Sequence, residues 1–127
     1  PQALALYTLG DRVALNKVGL LSYQDTWLTT TKLNNRHYIK DSWIEGAVDF
    51  IYGQGNVYLD QDTINIVRKS GGYIVAPNHP KETTWGCVVG TSLARYSYHA
   101  VYQYPFLRQD SCCRLVSYYG RTAQALG

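Results

Sequence analysis

The chain has 127 residues, 46% of them hydrophobic and 17% charged, and its 12 basic and 9 acidic side chains give a formal net charge of +3. That length suits one domain or a piece of a larger one, and the composition excludes a disordered or fibrous chain. Apolar runs of a few residues exclude a membrane-spanning helix, and so small a positive charge is ordinary solubility rather than a mark of nucleic-acid binding. There is no methionine and no basic-then-apolar leader, so Pro1 is read as the start of a processed chain or a fragment. Cys87, Cys112 and Cys113 lack zinc-ligand spacing, and an odd number cannot all pair within one chain.

From the N-terminus to about residue 75, short β-branched and aromatic runs alternate with Gly, Asn and Asp. Val13-Ala14-Leu15, Tyr38-Ile39 and Asn56-Val57-Tyr58-Leu59 are predicted strands, and no segment sustains a helical apolar period. Three of these segments repeat one pattern: Leu15-Asn-Lys-Val-Gly-Leu20, Ile39-Lys-Asp-Ser-Trp-Ile44 and Leu59-Asp-Gln-Asp-Thr-Ile64. Each has two branched aliphatics five residues apart, and the units begin 24 and then 20 residues apart. A period of about 20 to 25 residues suits an all-β solenoid, the parallel β-helix, in which each coil stacks on the last. A sandwich of regular hairpins is the alternative, but Asn-Gly and Asp-Gly turns are absent.

The repeat makes a chemical prediction. Five residues past the second aliphatic of each unit stand Asp25, Asp49 and Lys69, with Gln24 beside Asp25 and Gln2 about one coil earlier. Stacked strands lie roughly 4.8 Å apart, so the two carboxylates would be neighbours on one face. Such a pair titrates as a unit, with one member kept neutral more easily. A neutral acid beside an ionised carboxylate is what a proton donor and a nucleophile require. Two solvated turn aspartates would give the same spacing, and Lys69 reads equally as a solvated coil-edge lysine.

Three segments then carry a resemblance. Gln2-Ala-Leu-Ala-Leu6, Tyr23-Gln-Asp-Thr26 and Ile44-Glu-Gly-Ala-Val-Asp-Phe-Ile-Tyr-Gly53, with Gly10-Asp-Arg-Val13 between the first two, resemble consecutive signatures of the pectinesterase family. The similarity runs over about residues 1–86. It implies a right-handed parallel β-helix and a secreted, cofactor-free and metal-free hydrolase of methyl esters in pectin, with no nucleic-acid or membrane partner. By position, Asp49 matches the family's nucleophile, Asp25 its general acid/base, Gln24 the oxyanion-stabilising residue and Gln2 the glutamine that binds substrate beside it. Tyr52 falls where the family usually has phenylalanine in the cleft, and Val48 lines the same cleft by this analogy.

The composition breaks near residue 86. All five lysines, six asparagines and three tryptophans precede Cys87, whereas four arginines, all three cysteines and half of the tyrosines follow from it. Residues 1–86 therefore read as the family-like coils and 87–127 as a divergent tail, either a cap or a non-native continuation. The family's leucine-glycine-arginine-proline-tryptophan motif has one partial counterpart, Tyr118-Tyr-Gly-Arg-Thr122, in which Arg121 would hold the nucleophile. His37, His79 and His99 lack a metal spacing and read as structural or surface residues. A truncated solenoid exposes strand edges, so the isolated chain is expected to be poorly soluble, with 87–127 its least ordered part. The competing functional reading is a pectin-binding or structural β-helix without catalysis.

Overall fold

The computed structural model describes residues 2–69, 73–90, 92–96 and 113–115. The chain winds through three parallel sheets. The first holds β1 (Leu6–Thr8), β4 (Trp27–Thr29), β7 (Ile51–Gly53) and β10 (Val75–Pro77). The second holds β2 (Val13–Asn16), β5 (Arg36–Lys40), β8 (Asn56–Asp60), β11 (Cys87–Val89) and β13 (Cys113–Leu115). The third holds β3 (Gly19–Leu21), β6 (Trp43–Gly46), β9 (Thr63–Ile66) and β12 (Leu93–Tyr96). Each of the first four coils contributes one strand to every sheet in turn, which is a parallel β-helix.

The three sequence units are its coils. Leu15 pairs with Ile39 and Ile39 with Leu59; Leu20 pairs with Ile44 and Ile44 with Ile64. Ile39, Ile44 and Leu59 are fully buried, Ile64 nearly so, and they meet Trp27, Phe50, Ile51 and Val57 in one core. Burying such a side chain is worth about 1.5–3 kcal/mol each, and in a solenoid that gain exists only when neighbouring coils stack.

A left-handed residue turns the chain from the second sheet to the third on each of the first three coils: Lys17 (φ 54°), Asp41 (φ 49°) and Gln61 (φ 58°). Inside that corner the side chains form a ladder. Ser42 Oγ accepts the Val18 N–H (3.1 Å), Asp62 Oδ1 accepts the Ser42 N–H (2.8 Å), and Ser92 Oγ accepts the Asp62 N–H (3.1 Å). Coils one to four are thereby tied through buried side chains.

The register continues past residue 86. Cys87 pairs with Val57 in β8 and with Cys113 in β13, and Ala94 pairs with Ile64. The tail's strands 87–89, 93–96 and 113–115 stack on the same two sheets as the preceding coils; most of the rest of 87–127 lies outside the described residues.

Candidate active site

The third-to-first-sheet corner carries the singled-out residues. Gln2 bridges to Gln24, and Gln24 to Val48, both in parallel, so the three form one column across three coils. Trp27 pairs with Ile51, which places Asp25 and Asp49 at equivalent positions two residues earlier. Both turn the chain in the left-handed region, at φ 61° and 53°. That conformation is tolerated by aspartate far better than by bulky or β-branched residues. The Asp25 N–H donates to Val48 O at 3.1 Å, and Tyr23 O accepts the N–H groups of both Ala47 (2.6 Å) and Val48 (3.2 Å). The first and second coils are thus clamped together beside the aspartates.

The floor of the corner is apolar and tight. Thr26, Trp27 and Ala47 are fully buried and Phe50 nearly so. Thr26 Oγ1 donates to Glu45 O at 2.9 Å, and the Trp27 indole N–H donates to Thr8 Oγ1 at 3.0 Å. A Cβ on Gly46 would lie 2.8 Å from Phe50 Cγ and 2.9 Å from Thr26 Oγ1, so only glycine fits against these two side chains. Asp25 and Asp49 themselves are half-buried, and Asp49 Oδ1 is screened from solvent.

Tyr52 stands on the outer face of the first sheet, in a row with Tyr7, Leu28 and Ala76. Burial pushes its hydroxyl pKa up, with the Asp25 and Tyr7 charges further causes. The row gives the corner an aromatic flank. Tyr7, which sequence reading missed, belongs to it; its signal was the 21-residue offset from Leu28.

One expectation comes out differently. The third-coil counterpart of Asp49 is Tyr73, because Val75 pairs with Ile51; Lys69 is an exposed residue four positions earlier. Counting failed there because the third coil makes this corner with a longer connection than the first two. Arg121 lies outside the described residues. Among the described residues no group of three or more His, Cys, Asp or Glu side chains is placed to hold a metal ion, and no helix is long and apolar enough to cross a membrane.

Stacked parallel strands with paired turn aspartates beside the Gln2–Gln24–Val48 column define the chain as a parallel β-helix protein, and comparison with known proteins narrows it. The Pectinesterase family profile matches residues 1–82. Pectinesterase B of Dickeya dadantii strain 3937 is 38% identical over 100 residues, covering 69% of this chain and 23% of the relative. Pectinesterase B of Pectobacterium parmentieri is 36% identical over 93 residues, covering 66% and 23%. Pectinesterase 31 of Arabidopsis thaliana is 32% identical over 132 aligned residues, covering 93% and 40%, so its similarity reaches into the tail. No solved structure matches the chain. The chain belongs to the pectinesterase family, and it spans about a quarter of the length of the bacterial relatives.

Proposed function

We propose that the chain carries the catalytic corner of a secreted pectinesterase, hydrolysing methyl esters of galacturonate units in pectin. One observation supports this above the rest: Gln2, Gln24 and Val48 form a single column, and the residues after Gln24 and Val48 are aspartates in matching turns of adjacent coils.

The chemistry needs nothing beyond these groups. The Asp49 carboxylate attacks the ester carbonyl carbon, and the carbonyl oxygen takes the negative charge. The side-chain amides of Gln24 and Gln2 donate N–H groups to that oxygen; losing one such donor typically costs about 10²–10³ in rate. As the intermediate collapses, the bond to the methoxy oxygen breaks and Asp25, in its protonated form, gives that oxygen its proton. Methanol leaves, and an anhydride joins Asp49 to the sugar. The Asp25 carboxylate then takes a proton from water as it attacks the anhydride, which frees the galacturonic acid and restores both aspartates. Tyr52 and Val48 are assigned to the wall against which the sugar ring rests, the tyrosine offering its flat face. Strands β11 and β12 are assigned to a further coil of the same solenoid, a reading supported by their pairing with β8 and β9.

Methanol release from highly esterified pectin tests the proposal. Turnover by the parent chain that disappears in Asp49→Ala and in Asp25→Asn, with pectin binding retained, is the expected result. Turnover that survives either substitution overturns the assignment; binding without turnover in the parent selects a non-catalytic pectin-binding coil.

A further inference from the structure

We propose that the groove around Trp43 is a second carbohydrate site, which binds a pyranose chain segment away from the aspartate pair. The identity of that chain as pectin rests on the esterase reading above. The groove lies at the second-to-third-sheet corner. The left-handed residues Lys17, Asp41 and Gln61 follow the paired residues Asn16, Lys40 and Asp60, so they repeat at one position on three consecutive coils, at roughly 4.8 Å spacing. With Gly19, Trp43 and Thr63, themselves one register row, they line an open depression of about 540 Å³.

Each part of the lining has a use for a sugar ring. The Trp43 indole presents a broad flat surface of the kind that covers the C–H face of a pyranose. Its N–H donates to Glu45 Oε2 at 3.2 Å, and the same oxygen accepts the Asn65 amide at 2.9 Å, so the ring plane is fixed before a ligand arrives. A fixed ring loses little entropy on binding. Around it stand an ammonium donor, a carboxylate acceptor and an amide that does both, which suits a row of hydroxyls. The Lys17 and Asp41 charges offset each other, so recognition falls on ring and hydroxyls rather than on ligand charge.

The groove has an open end. Gly19 precedes Trp43 in the register row, and a Cβ there would meet, among the described atoms, only Leu21 Cδ1 at 3.2 Å. A side chain at Gly19 would therefore occupy the groove at little cost to the fold. Trp43 opens β6 and Asp49 lies just past its end, so the two sites are separated by roughly 15–20 Å along the chain. A long polymer held at the groove raises its own effective concentration at the aspartates, while a short ester gains nothing.

Chemical oxidation of tryptophan by N-bromosuccinimide, followed by peptide mapping, reads this site directly. Trp85, exposed and outside the groove, is the internal control, and Asp49→Ala protein removes turnover. Homogalacturonan oligomers, both fully methyl-esterified and unesterified, are expected to slow Trp43 oxidation by severalfold and leave Trp85 unchanged. Gly19→Gln should abolish that protection with an unaltered circular dichroism spectrum. Trp43 oxidised at one rate with and without oligomers, equal protection in Gly19→Gln, or protection by the unesterified oligomers alone would overturn the proposal. Absence of methanol release by the parent chain would overturn the esterase reading instead, and leaves the oxidation readout intact.

Discussion

Asp25 and Asp49 stand one above the other at the same turn of adjacent coils, each left-handed, with the Asp25 N–H bound to the carbonyl of the residue before Asp49. One backbone geometry therefore turns the corner on both coils and puts the two aspartates at equivalent positions, which the proposed esterase chemistry requires. The two roles separate by substitution. Asn tolerates the left-handed region and Ala does not, at roughly 1–2 kcal/mol. Asp49→Asn should unfold in urea at nearly the parent midpoint, Asp49→Ala should lose about 1 kcal/mol, and both should lack turnover. Equal stability of the two variants would show that the backbone at 49 relaxes.

Gly46 offers a way to disturb the pair without touching it. Its missing Cβ leaves room for Phe50 and Thr26, which directly follow Asp49 and Asp25. A methyl at 2.8 Å from Phe50 Cγ forces these side chains apart. Gly46→Ala is expected to destabilise the coil by about 1–3 kcal/mol. It should also lower kcat by tenfold or more, because small displacements of reacting groups are expensive. Steady-state kinetics at a temperature well below the melting point separates the two effects; parent-like kcat would mean that the corner absorbs the methyl.

Much of this was legible in the sequence because the solenoid core is a stack of identical inward positions. Leu15, Ile39 and Leu59 announce themselves by spacing alone, and so do Leu20, Ile44 and Ile64, and the structure pairs them in that order. The same arithmetic failed at Lys69, since corners accept insertions that strands cannot, and Tyr73 takes the expected place. The Trp43 groove was invisible for a related reason. It is made by side chains from three coils whose outward positions follow no apolar period, so only the folded register brings Lys17, Asp41 and Gln61 together.

The core reading has its own test. Ile39 is fully buried between Leu15 and Leu59, in β5 of the second sheet. Ile39→Ala removes three carbons from a position that neighbouring coils cannot fill without shifting the ladder. The expected loss is about 2–5 kcal/mol, against about 0.5–1.5 for Ile39→Val. Urea midpoints at constant slope measure it, and a loss below 1 kcal/mol for the alanine variant would show a collapsible core.

The buried ladder at the opposite corner predicts how stability depends on pH. The Asp62 carboxyl is 1% exposed and accepts the N–H groups of Ser42 (2.8 Å) and Asp60 (3.0 Å). Those bonds favour the ionised form, but burial outweighs them and, with the charges of Asp60 and Asp41, pushes the pKa from 3.8 up to about 6. The folded chain thus holds the Asp62 proton more tightly than the unfolded chain does. What this group contributes to stability is complete below pH 3.8 and is lost as the pH rises through 6. His37 acts in the opposite sense. It is buried beside Trp27, no hydrogen bond of sound geometry reaches its ring nitrogens, and burial holds its pKa below 6.5 despite nearby backbone groups of Asn56, Thr8 and Asn35. Its contribution is present above pH 6.5 and falls away as the pH drops through its folded value. The parent curve therefore mixes two opposed slopes, and Asp62→Asn isolates one of them. The stability difference, parent minus Asp62→Asn, should decrease steadily from pH 4 to pH 7 in urea titrations at constant ionic strength. A difference independent of pH would mean that Asp62 has the same pKa folded and unfolded, its two N–H bonds fully offsetting its burial.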